Sequence, residues 1–381
     1  MNELRPDHLQ HSIQAMLDEF TESGLESGLQ VTAYHRGKRV LNAQSGVMNA
    51  AANKPVTSDT LFISMSSCKG ITATVIHLLA QSGKLRYDDK IADYWPEFAV
   101  NGKADITIRQ VLCHEAGIPQ MPEPIDMDTV CNWDAMVHAI ERLTPVWKPG
   151  TKTGYHGLTM GWILGELAKR ADGRPFAQIV QEDIGVPLGI ENELYFGVPD
   201  GAESRIATIS GETLPWMDMP DDMLIKKMLP TPIMPIKNAA WNELAFHQAV
   251  VPAANACLTA NALARLYASL IGDGVDGIRL LNPSTLEQAT LLHTKQPDEV
   301  FMGLISIPKA LGYWLGDNES ALAMGGSLRT FGHTGMGGLI GFADPEHQFS
   351  FALLKNSLSF NRGNQDTDVL LVNKVREWLH S

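Results

Sequence analysis

Positive charge is in short supply: 30 lysines and arginines stand against 43 aspartates and glutamates, leaving a formal net charge of −13. Binding to nucleic acid and adhesion to anionic lipid both need clustered cations, so neither is expected as a partner. Long apolar runs are missing too, and none reaches the length of a membrane span. The start, Met1-Asn2-Glu3-Leu4-Arg5-Pro6-Asp7-His8-Leu9-Gln10, lacks the basic segment and apolar core of a signal peptide, which makes the cytoplasm the expected location. Cysteine is scarce. Cys68, Cys113, Cys131 and Cys257 are widely spaced with no C-x-x-C pair, and without an export signal free thiols are expected.

Several motifs are absent as well. G-x-x-x-x-G-K-[ST], H-E-x-x-H and G-x-S-x-G do not occur. Gly335-x-Gly337-Gly338-x-x-Gly341 leads into strand-like Leu339 to Ala343 rather than a helix, so it does not read as a dinucleotide loop. His8 and His11 share a helix face with no further ligand nearby, which fits a solvated face better than a metal site. No metal and no organic cofactor are expected.

What the chain does contain is ordinary for a protein with a sizeable core: 44% hydrophobic and 19% charged residues over a length that suits one large domain or two. Apolar positions at helical spacing predict a helix from Pro6 to Glu22. Leu29 to His35 and Lys38 to Gln44 read as strands joined by a tight turn at Arg36-Gly37. Between Lys84 and Asn255 the strand signal nearly vanishes, and helices are expected at Ile108 to His114, Trp133 to Arg142, Thr159 to Ala171 and Phe176 to Glu182. Leu214 to Pro235 mixes five methionines with five prolines, which resists regular structure and reads either as a self-packed loop or as an adaptable apolar wall. A helix at Leu258 to Ile271 precedes strand runs at Tyr313 to Leu315, Thr330 to His333, Gly338 to Ala343 and Phe349 to Leu354, and a last helix covers Asp366 to Leu379. The expected class is α/β (α+β), an antiparallel sheet built from both chain ends with flanking helices. Residues 1–83 and 256–381 would form the sheet domain and 84–255 an inserted, mostly helical lobe.

Ser66-Ser67-Cys68-Lys69 stands where a short apolar run, Leu61 to Ser64, gives way to a helix closed by Ser82-Gly83. Residues three apart share a helix face, so Ser66 and Lys69 are expected side by side. Unpaired N–H groups in a first helical turn favour an alkoxide or nearby oxyanion, while burial and the helix dipole push a lysine toward its neutral form. A neutral Lys69 can take a proton from Ser66. Cys68 is the rival nucleophile, though Ser66 fits the geometry better and a buried Cys68 is the plainer expectation. Tyr155 precedes a helix; a cationic lysine beside it would lower its phenol pKa and let Ser66, Lys69 and Tyr155 share a proton, the alternative being simple aromatic packing. In Phe331-Gly332-His333-Thr334-Gly335-Met336-Gly337-Gly338, small residues either let a strand edge aim an N–H at an oxyanion or just make a turn.

Ser-x-x-Lys after a strand, a Tyr motif further on and a late His-Thr-Gly together resemble the serine β-lactamase and penicillin-binding protein superfamily. Gly83 to Ile91, Ile108 to Pro119 and Val186 to Ile190 extend the likeness over most of the chain. Within the superfamily, Tyr155-His156-Gly157-Leu158-Thr159 and Gly332-His333-Thr334-Gly335 look like the class C β-lactamase-like esterases, the family VIII carboxylesterases. That resemblance implies a serine hydrolase forming an acyl-enzyme on Ser66. Lys69 and Tyr155 would be its proton-transfer pair, the backbone N–H groups of Ser66 and Met336 its oxyanion hole, and His333, Thr334 and Gly335 its substrate contacts. Gly157 replaces the Asn of Tyr-x-Asn and His333 the Lys of Lys-Thr-Gly, which makes a small uncharged ester the expected substrate rather than a β-lactam. An acyltransferase, a peptidase or a weak β-lactamase is the first alternative, and a non-catalytic relative that binds an acyl ligand the second.

Overall fold

The computed structural model describes residues 5–211, 216–234, 239–317, 323–359 and 366–380. Seven strands make the main sheet: β1 (Gly28–His35), β2 (Lys38–Asn49), β3 (Lys54–Pro55), β4 (Trp314–Leu315), β5 (Phe331–Gly335), β6 (Leu339–Asp344) and β7 (Phe349–Lys355), in the order β3-β2-β1-β7-β6-β5-β4. The pairings are antiparallel, and the N-terminal hairpin meets the C-terminal meander where Leu29 faces Lys355 and Ala33 faces Phe351. Arg36 and Gly37 both take positive φ, as the predicted two-residue turn requires.

Both faces of the sheet are covered, because β6 and β7 are buried along their whole lengths. Side chains alternate between faces. The Gly341 face of β6 packs on a helix, α4 (Ala260–Leu270), so closely that a Cβ there would stand 2.6 Å from Leu263 Cδ2. The next residue, Phe342, has the Arg376 guanidinium 5.5 Å from its ring, which puts α5 (Thr367–Leu379) on the opposite face. There α1 (Pro6–Glu22) buries Leu9, Ile13, Leu17 and Phe20 and ties to β2 through Gln10 and Gln14.

Helices dominate between the two sheet-forming ends, and the predicted ones form with shifts at their termini. Elements the pattern missed are short. Cys257–Leu258 and Leu194–Tyr195 join Phe62–Ile63, which lies in the expected run from Leu61 to Ser64, in a small antiparallel sheet, and Ser210–Gly211 pairs with Ser357–Leu358 in parallel. A helix at Pro283–Thr290 was also unpredicted, although its start is marked by the Asn282 side chain accepting from Thr285 N and by Pro283 in the first turn. In the methionine- and proline-rich segment, Leu214, Pro215 and Pro235 lie outside the described residues. The rest holds a helical turn at Leu224–Met228 and a 3₁₀ turn at Thr231–Ile233. Among the described residues no helix is long and apolar enough to cross a membrane.

Candidate active site

The chain leaves the small sheet through Ser64, whose N–H donates to Ala256 O at 2.8 Å, and enters a 3₁₀ turn at Met65–Cys68 that runs straight into α2 (Lys69–Gln81). Met65 takes a φ of +48°, a left-handed conformation that costs a side-chain-bearing residue energy and lifts the following serine to the surface of the turn. Side chains three apart eclipse in a 3₁₀ turn, so Ser66 and Lys69 align as expected of an α-helix. The Lys69 Nζ lies 2.9 Å from Ser66 Oγ and 2.9 Å from Ala253 O. That carbonyl is held close by α3 (Thr159–Asp172), where Gly161 leaves no room for a side chain: a Cβ would be 2.4 Å from Ala253 N.

Tyr155 completes the group. Its hydroxyl is 2.8 Å from Ser66 Oγ, and the Lys69 Nζ is 5.0 Å from the centre of its ring. The loop carrying it has no repeating structure and is held by side chains instead. Asp298 Oδ1 accepts from Tyr155 N at 3.1 Å and from Val300 N at 3.1 Å, while Asp298 Oδ2 meets Lys309 Nζ at 2.7 Å. Lys309 also donates to Thr153 Oγ1 at 3.1 Å, and both members of this ion pair are fully buried. Next along the loop, His156 Nε2 accepts from Ile118 N at 3.0 Å, so its proton sits on Nδ1 and is donated to Gly154 O. Phe301 stacks nearly parallel to the Tyr155 ring with centres 6.0 Å apart.

Burial governs the electrostatics. It pushes Lys69 down to about 7, the direction expected from the sequence. The expected lowering of Tyr155 is corrected: burial raises the phenol above its ordinary value, with the hydrogen bond to Ser66 acting against the rise. The lysine that was to stabilise a phenolate is itself buried and loses much of its charge near neutral pH. Tyr155 is therefore a protonated donor. Cys68 is buried with its thiol raised by desolvation, its Sγ turned to Met65 O and Pro252 O, which suits packing and not attack.

Ser66 and Tyr155 open into a cavity of about 270 Å³, along with Thr334, Gly335 and Met336. Gly335 lets β5 press against the Met65–Cys68 turn, since a Cβ would lie 2.9 Å from Ser64 O and 3.2 Å from Met65 Cβ. Of the three residues expected to touch substrate, His333 is not among the cavity's lining. It is fully buried, donates from Nδ1 to Thr334 O at 2.6 Å, and packs its ring 4.1 Å from that of Trp314. Its Nε2 is a buried atom with no hydrogen-bond partner, and burial, with the Lys69 charge second, lowers its pKa.

Asp298, Lys309, Phe301 and Trp314 were not singled out from sequence. The first three are lone residues outside regular helices and strands and Trp314 sits in the two-residue strand β4, so only tertiary pairing gives them a role. The cavity wall itself was partly legible, because Trp216, Met228 and Leu229 from the methionine- and proline-rich segment line it. Among the described residues lining the cavity there is no aspartate, glutamate, lysine, arginine or histidine.

The Beta-lactamase family profile matches residues 13–374. Esterase/beta-lactamase LipL of Mycobacterium tuberculosis (strain ATCC 25618 / H37Rv) is 32% identical over 353 residues, which cover 87% of this chain and 77% of LipL. The crystal structure of a family VIII carboxylesterase superposes with a TM-score of 0.87 at 29% identity, covering 97% of both chains. A penicillin-binding protein homolog from Caulobacter crescentus does so with a TM-score of 0.84 at 29% identity, again over 97% of both. With the match running almost from end to end, the chain belongs to the β-lactamase family and is a hydrolytic enzyme of the serine β-lactamase fold.

Proposed function

We propose that this enzyme is a serine carboxylesterase that cleaves small uncharged esters through an acyl-enzyme on Ser66. The observation that carries the reading is one hydroxyl flanked at 2.9 Å by a buried amine and at 2.8 Å by a phenol, on the wall of a cavity whose lining, among the described residues, holds no charged side chain. A substrate carboxylate, as in a β-lactam or a peptide terminus, finds no cationic side chain in that lining, whereas an ester carbonyl needs only polar N–H groups.

Neutral Lys69 takes the Ser66 proton as Oγ attacks the ester carbonyl, and the negative charge moves to the carbonyl oxygen. Ser66 and Met336 both border the cavity, and their backbone N–H groups are the proposed oxyanion donors. As the tetrahedral intermediate collapses, the bond to the alcohol breaks. Tyr155 gives its proton to the departing oxygen and recovers one from the Lys69 ammonium. Water then gives up a proton to the same pair, attacks the acyl carbon and releases the acid, and Ser66 regains its proton.

Ser66→Ala is expected to abolish hydrolysis of p-nitrophenyl acetate and labelling by a fluorophosphonate while the thermal unfolding midpoint stays near that of the wild type. Turnover persisting in that variant would refute the assignment.

A further inference from the structure

We propose that Met228 is a specificity-determining residue that limits the size of the ester group lying beside Gly157, an inference that rests on the esterase reading. Gly157 follows Tyr155 by two positions and lines the cavity together with Met228. A Cβ built on Gly157 would stand 2.3 Å from Met228 Sδ and 2.9 Å from its Cγ. Gly157 is not among the glycines with positive φ, so its backbone conformation is open to other residues. What a side chain at position 157 would meet is the methionine. The thioether has taken the volume next to the proton-donating loop.

Met228 is held where it is. It ends the helical turn Leu224–Met228 and is buried. Lys227 O accepts from Met121 N at 2.8 Å, and Met121 lies just beyond Ile118, whose N–H is bound by His156 next to Gly157. Buried Lys226 donates to Met217 O at 2.8 Å and to Thr231 Oγ1 at 3.3 Å, closing the segment on itself. The wall and the Tyr155 loop are thus tied to the same short stretch of chain. Met228 therefore acts as a fixed stop, with only its own torsions free to yield.

The test is a substrate-size profile. kcat/KM is measured for p-nitrophenyl esters of increasing acyl length and for acetate esters of increasingly bulky alcohols, in the wild type, Met228→Ala, Gly157→Ala and the double variant. Met228→Ala is expected to raise the ratio of large to small substrate by on the order of 10-fold in one of the two series, which identifies the arm of the ester that lies against it. Gly157→Ala drives the thioether into the cavity and is expected to lower the same ratio, and the double variant to recover most of that loss. A profile that stays within about twofold of wild type in both single variants, at the resolution set by a single methylene, would overturn the proposal. A wild type that turns over no ester and leaves Ser66 unlabelled would instead remove the esterase reading, and this inference with it.

Discussion

Two buried lysines serve Tyr155, one from the side of its ring and one through its backbone, and their surroundings could hardly differ more. Lys309 is paired at 2.7 Å with Asp298, whose other oxygen holds the Tyr155 N–H. Lys69 meets a hydroxyl and a carbonyl, and among the described residues it is in no ion pair. A carboxylate at contact distance compensates an ammonium for lost solvation, and the pair becomes a fixed peg. Without one, burial favours the neutral amine, which can accept a proton. Lys69 is accordingly pushed down to about 7, a value suited to a base at neutral pH.

The largest effect expected from breaking this contrast is in Lys69→Met. Removing the amine should lower kcat/KM on p-nitrophenyl acetate by roughly 10²–10⁴-fold, the range of general acid–base contributions. The same variant reports on stability. Between about 7 and the ordinary lysine value of 10.5 the unfolded chain binds a proton at Lys69 that the folded chain does not. Wild-type stability therefore gains from this group as pH rises across that window, and urea titrations should find that rise missing in Lys69→Met.

A smaller, purely structural effect is expected at the other lysine. Lys309→Met leaves Asp298 charged, buried and unpaired, and should cost about 3–5 kcal/mol in chemical denaturation. Adding Asp298→Asn removes that orphaned charge while keeping an oxygen to accept the Tyr155 N–H, and is expected to recover most of the stability. A Lys309→Met protein as stable as the wild type would show that the peg is dispensable.

The contrast also marks what the sequence could disclose. Ser66 and Lys69 were readable because local helix geometry alone brings them together, and Tyr155 because its motif resembles a family. The sheet from both chain ends was legible in short strand-type runs and in the Arg36-Gly37 turn, whereas the two-residue strands at Leu194–Tyr195 and Cys257–Leu258 are too short to leave a signal. Asp298 and Lys309 sit 11 positions apart in loop sequence and pair only through the fold. The direction of the Tyr155 shift was misjudged for a related reason. Residue spacing places a lysine nearby, but only burial decides whether that lysine keeps its charge. His333 illustrates the same limit, since its motif suggests a substrate contact while its side chain packs on Trp314 behind the cavity.

The central claim, that Lys69 is the base acting on Ser66, is tested most directly by the pH dependence of the rate at which a fluorophosphonate labels Ser66. The wild-type rate is expected to climb about tenfold per pH unit below about 7 and to level off above it, as the amine loses its proton. In Lys69→Met it should be slow and nearly flat over the same range. A variant that keeps the wild-type rise through neutral pH would assign the titration to another group and contradict the account.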